Sequence, residues 1–85
     1  MRVGPEDFGD EELALLYVAK RLNESLRLED VLTGAGIDYL VEPDRYRGGV
    51  IFQRERIGAF FYVALTDEQS AREALTRAGF EPYQP

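Results

Sequence analysis

Apolar residues follow two rhythms along this chain, and polar punctuation separates them. "LALLYVA" (13–19) is continuously apolar, which suits a central strand covered on both faces. The same stretch within "DEELALLYVAKRL" also suits a helix, with Asp10 as N-cap and two Glu in its first turn. The strand is the reading carried forward. Leu28, Val31, Leu32 and Ala35 then recur at i, i+3, i+4 and i+7, so "NESLRLEDVLTGAG" (23–36) predicts an amphipathic helix. Asn23 or Ser25 is placed to cap its start, and Gly34 and Gly36 offer left-handed exits at its end. "IDYLVEP" (37–43) puts Ile37, Tyr39 and Val41 on one face of a strand that Pro43 is expected to stop. "VIFQ" (50–53) and "IGAFFYVAL" (57–65) read as two further strands, with Gly58 marking a bulge or a close backbone approach.

The last helix, 66–79, has the clearest signals. Thr66 followed by Gln69 matches a capping box, and Asp67 and Glu68 complement the positive end of the helix dipole. Ala71, Ala74, Leu75 and Ala78 form the expected buried stripe, and Gly79 stands where a C-cap glycine belongs. Glu68–Arg72 and Glu73–Arg77 are i,i+4 pairs worth about 0.2–0.5 kcal/mol each, so structure alone accounts for these charges.

This order of elements predicts an α+β fold: a two-layer α/β sandwich with both helices on one face of a mainly antiparallel sheet. A hairpin between 37–43 and 50–53 brings the order to the βαββα of a ferredoxin-like fold, with an additional short strand. Residues 1–12, with five acids, two glycines and one proline, read as an acidic mobile arm with a late anchor at Phe8. Residues 13–80 form the single domain. The tail 81–85 is a candidate edge strand.

Composition narrows the function classes. At 85 residues, 45% hydrophobic and 31% charged, the chain has the make-up of one globular domain with a modest core. It has no cysteine, which removes disulfides, thiolate metal sites and thiol nucleophiles and fits a reducing cytoplasm. The acidic start has no apolar signal core, and the longest apolar run, Leu13–Ala19, is too short to span a bilayer. The expectation is a cytoplasmic protein without membrane contact. A net charge of −6 disfavours nucleic acid, whose phosphates need basic partners.

Chemistry is narrowed further. No histidine is present, so the usual general base near neutral pH and the imidazole metal ligands are missing. Ser25 and Ser70 lie in helical contexts without a nucleophile elbow. "GAG" (34–36) closes a helix instead of opening one, unlike a dinucleotide fingerprint. Glu29-Asp30 and Asp67-Glu68 are explained by helix solvation and dipole pairing. "EDFGDEE" (6–12) groups five carboxylates in seven positions but lacks the spacing of a calcium loop. Neither catalysis, a metal nor a cofactor is expected.

Two stretches remain as candidate surfaces. "DRYRGGVIFQRER" (44–56) concentrates Arg45, Arg47, Arg54 and Arg56 in an acidic protein, around Gly48 and Gly49 and beside Tyr46. Read functionally, the glycines allow close approach and the arginines supply planar forks for a carboxylate or phosphate. Read structurally, the charges guard a sheet edge against aggregation and the glycines make the turn. The second stretch, "GAFFYVA", has consecutive aromatics, Phe60, Phe61 and Tyr62, which must face both sides of the sheet. With helices on one side only, the other aromatics call for a partner, and self-association is the simplest one.

"LLYVAKRLNESLRLEDVLTGAGIDYLVEP" and "FFYVALTDEQSAREALTRAGF" together resemble the prokaryotic signal-transducing protein family, small domains with no assigned biochemical role. In that pattern a short strand leads to a helix ending in a Gly-Ile step, here Gly36-Ile37, and then to a strand. A glycine-containing insert follows, here Gly48-Gly49, and then a valine-bearing strand running into an acidic-capped helix, here "VALTDEQSAREAL". The resemblance covers roughly residues 13–80; the acidic arm and the arginine enrichment lie outside it. It implies no catalytic residue and favours the strand at 13–19. A looser likeness is to amino-acid-binding regulatory domains with a βαββαβ fold, which place a glycine where this chain has "KRLNES". The function expected is a non-enzymatic regulatory or protein-interaction module. The alternative is a sensor of an amino acid, nucleotide or other anionic metabolite at the arginine hairpin.

Overall fold

The computed structural model describes residues 1–44 and 58–84. In chain order they form β1 (Leu13–Ala19), α1 (Leu22–Gly34), β2 (Leu40–Asp44), β3 (Gly58–Ala64) and α2 (Glu68–Arg77), with 3-10 turns at Pro5–Phe8 and Leu65–Asp67. Among the described residues the sheet has three strands in the order β1-β3-β2, with β3 antiparallel to both neighbours. The described residues thus form an α+β fold with a three-stranded antiparallel sheet and two helices. The strand expected at 50–53 lies outside the described residues.

The ambiguous stretch 13–19 is a strand, paired with β3 from Leu13↔Ala64 to Ala19↔Ala59. Its alternation breaks once, at a β-bulge where the register passes from Leu15↔Tyr62 to Tyr17↔Phe61. The extra residue, Leu16, lets two successive side chains, Leu16 and Tyr17, join the same core. That core gathers Leu16 and Ala19 of β1, Leu28 and Leu32 of α1, Phe61 and Val63 of β3, and Ala71 and Leu75 of α2. Ile37 and Tyr39 join it and Val41 packs against it, as the alternation of 37–43 requires. A second, smaller cluster consists of Phe8, Leu40 and Ala64, with Val3, Leu13 and Tyr62 against it.

At their C-termini the helices exit through Gly36 and Gly79 as expected, although Gly34 is the last residue of α1 and not a left-handed exit; at their N-termini they differ from expectation. Gly36 and Gly79 have φ of 75° and 93°, the left-handed region that favours glycine. At each, the next residue's N–H reaches back to close the helix: Ile37 N to Leu32 O at 3.0 Å, and Phe80 N to Leu75 O at 2.9 Å. Ile37 and Phe80 are both buried, so each turn drives an apolar residue into the core. At the N-termini the capping expectations fail. α1 starts at Leu22, with Arg21 in the cap position, and Ser25 is buried inside the helix. The chain leaves β3 through the turn Leu65–Asp67, so α2 begins at Glu68 and the Thr66–Gln69 capping box does not form. Gln69 instead donates to Glu73 at 3.5 Å. The buried stripe is Ala71, Ala74 and Leu75; Ala78 is the exposed C-cap.

Both ends of the chain attach to the sheet. Val3 N donates to Tyr39 O at 2.9 Å and Tyr39 N to Met1 O at 3.0 Å, forming a parallel bridge between Arg2 and Tyr39. The segment read as a mobile arm is therefore joined to the sheet, and Phe8 is its buried anchor. Its apolar residues Val3 and Phe8 have a cluster to enter, which an inventory of its charges hides. Residues 81–84 of the tail form no strand. They make one backbone bond to β1, Tyr83 N to the Leu16 carbonyl at 2.8 Å, and Arg72 Nη1 donates to Tyr83 O at 2.9 Å. Pro43 does not stop β2, which runs to Asp44; among the described residues β2 is at the edge of the sheet, where a residue without an N–H is tolerated. No helix among the described residues is long and apolar enough to cross a membrane.

Candidate functional site: an aromatic row and a cleft at the start of α1

Arg45, Tyr46, Arg47, Gly48, Gly49, Arg54 and Arg56, the candidate anion-binding hairpin, lie outside the described residues. The aromatic run of β3 is described, and strand alternation sorts it. Phe61 is fully buried in the main core and stacks on Tyr39 with centroids 5.8 Å apart. It has no surface left for a partner. Tyr62 packs against the smaller cluster with Phe8 and Leu40. Phe60 is half-buried and stands between two cross-strand partners, Val18 of β1 and Glu42 of β2. Directly paired residues on adjacent strands share a face, so Val18 and Phe60 form a row outside both clusters. Gly58 flanks this row: a Cβ there would lie in ordinary contact, 3.5 Å from Val18 Cγ1 and 3.6 Å from a Phe60 ring carbon.

A second region was not singled out in the sequence. β1 ends at Ala19, and α1 begins three residues later at Leu22. The short connection brings Tyr17 of the strand under the first turn of the helix. Tyr17 donates its hydroxyl to Glu24 at 2.6 Å, and Glu24 also accepts the Lys20 N–H at 3.1 Å. Burial, reinforced by the bond to Glu24, pushes the Tyr17 phenol up to about 12. The bond from Tyr17 holds the Glu24 carboxyl below its ordinary range, partly opposed by burial. The two shifts describe one interaction, a short, charge-assisted bond that keeps the phenol protonated and the carboxyl ionised.

Phe80, delivered by the α2 exit turn, meets Tyr17 edge-on at 5.6 Å. The Arg27 guanidinium lies over the Phe80 ring at 4.9 Å. Together Tyr17, Arg21, Asn23, Glu24, Arg27, Gly79, Phe80 and Glu81 line an open cleft of about 740 Å³. The signal that could have found it is a tyrosine inside an apolar strand. A half-buried phenol needs an acceptor, and the first carboxylate after the following turn is Glu24.

A matching pair holds the middle of α1. Tyr39 donates to Glu29 at 2.8 Å, and Arg2 approaches the other Glu29 oxygen at 3.7 Å. Burial, with the Glu29 contact, raises the Tyr39 phenol above its ordinary value, opposed in part by a bond involving Thr33. Two tyrosines of the sheet layer thus tie down one helix through two glutamates. Every buried side-chain nitrogen and oxygen among the described residues has a partner. No group of three or more His, Cys, Asp or Glu side chains among them is placed to hold a metal ion. Comparison with family models, with curated proteins and with solved structures gave no match.

Proposed function

We propose that the chain is a non-enzymatic regulatory module that works by self-association and by docking a partner protein. The Val18–Phe60 row carries this reading: two large apolar residues, directly paired across β1 and β3, lie outside both clusters. Among the described residues, the segment 1–12 supplies Phe8 and Val3 to the smaller cluster and does not enter this row. Edge-to-edge association is the weaker route. β2 carries Pro43, which has no N–H to offer a further strand, and the tail already takes the Leu16 carbonyl of β1.

The finer architecture in this proposal is ferredoxin-like. β1 and β2 run in the same direction with β3 antiparallel between them, which fits a split βαβ unit. The tail bond at Leu16 lies where an additional edge strand would pair. The sharing of one core by Leu28, Leu32, Ala71 and Leu75 favours both helices on one side. The regulatory part of the proposal rests on the resemblance of residues 13–80 to the signal-transducing family, and the absence of histidine and cysteine favours binding over catalysis. Sedimentation velocity from micromolar to several hundred micromolar protein tests it. A reversible dimer is expected, and a strict monomer throughout would remove the self-association reading.

A further inference from the structure

The cleft at the start of α1 combines features the self-association reading does not use. Two guanidinium groups, Arg21 and Arg27, line it, and neither closes an ion pair among the described residues. The Arg27 guanidinium lies over the Phe80 ring at 4.9 Å, a cation–π contact that does not use up its N–H donors. The acidic groups differ in their commitments. Glu24 is engaged by the Tyr17 hydroxyl and the Lys20 N–H and also feels the charge of Arg21, but it closes no ion pair with either arginine. Tyr17 and Phe80 give the cleft an aromatic wall, and Asn23 adds an amide.

We propose that this cleft binds a small organic carboxylate, with the carboxylate on Arg27 and Arg21 and an apolar body against Tyr17. A planar fork matches the two oxygens of a carboxylate in bidentate fashion. The charge balance selects a monoanion. Glu24 and Glu81 stand in the same lining as the two arginines, so the cleft is close to neutral and repels a phosphate dianion more than a single carboxylate. The apolar wall adds affinity for a ligand with a ring or a short hydrocarbon body, which inorganic phosphate lacks.

Amide NMR titration tests this, with benzoate and inorganic phosphate as probes. Benzoate is expected to shift the amides of residues 21–27 and 79–81 saturably, and phosphate to bind more weakly at the same place. Arg27→Gln should weaken benzoate about tenfold through loss of the charged fork. Arg27→Lys should fall between, because an ammonium keeps the charge without the fork. Arg77→Gln, outside the cleft, should change nothing. The dispersion of each spectrum shows that the variant is folded, and Arg21→Gln replaces Arg27→Gln if it is not. The proposal is overturned by shifts that are absent or scattered over the surface, by equal binding to the Arg27→Gln variant, or by phosphate binding as tightly as benzoate. None of these outcomes bears on sedimentation of the unliganded chain, so this proposal and self-association fail separately.

Discussion

Phe61 and Phe60 are neighbours in sequence and identical in chemistry, yet they stand in different surroundings. Phe61 is sealed among Leu16, Leu28, Leu75 and Tyr39, with none of its surface exposed. Phe60, one pleat away, rests half-buried beside Val18 and opposite the exposed Glu42. The helices make the difference. Leucines and alanines of α1 and α2 share the main cluster with Phe61, whereas among the described residues neither cluster takes in Phe60. Stability therefore concentrates around Phe61, and capacity for a partner around Phe60. Substitutions on the two sides should separate these properties.

The largest effect is expected at the α2 contact with the main core. Leu75→Asp puts an unpaired charge in a site with no exposure, which costs several kcal/mol against a total stability of only about 5–15 kcal/mol. Circular dichroism should show an unfolded chain at room temperature. Phe61→Ala comes next, with an expected loss of about 3–5 kcal/mol in urea denaturation. Phe8→Ala, in the smaller cluster, should cost less, about 1–3 kcal/mol by the same measurement. If Phe8→Ala proved as damaging as Phe61→Ala, the two sides would not differ as described.

The tie between Tyr17 and Glu24 gives a pH-dependent test of intermediate size. Tyr17→Phe should cost about 1–2 kcal/mol near neutral pH, the worth of a hydrogen bond to a charged group at a half-buried site. The folded phenol titrates at about 12 against an ordinary value of 10.0. Its contribution is thus complete below pH 10.0 and is lost as pH rises toward about 12. Glu24 titrates below its ordinary value of 4.5, so its contribution is present above that pH and is lost as pH falls through the folded value. Urea midpoints across the alkaline range should fall more steeply for the wild-type chain than for Tyr17→Phe. Tyr39, also raised, leaves some alkaline loss in both.

Much of the closed side was legible in the sequence. The i, i+3, i+4 spacing found Leu28 and Leu32, alternation found Ile37, Tyr39 and Val41, and the glycines at 36 and 79 marked both helix exits. These features follow from local geometry, which periodicity reports. The misses are of another kind. The capping box at Thr66 failed because the exit from β3 took Leu65–Asp67 into a 3-10 turn and reset the start of the helix. The Leu16 bulge, the docking of residues 1–3 on Tyr39 and the Tyr–Glu ties depend on which segments meet in space. The arginines of 45–56 raise a question that rests on the sequence alone.

The smallest expected effect on stability is also the most informative, because it falls on the open side. Phe60→Lys replaces a half-buried ring with a side chain that can lead its charge to solvent, so folding should change by about 0.5–1 kcal/mol or less. Association should change far more, since a charge in the middle of an apolar contact is costly to desolvate. The decisive measurement is sedimentation velocity of the wild-type chain and Phe60→Lys at matched concentration, with the urea midpoint of each. The account predicts a concentration-dependent dimer for the wild type and a folded monomer of nearly equal midpoint for the variant. A dimer that survives Phe60→Lys unchanged would contradict it and move the contact away from the Val18–Phe60 row.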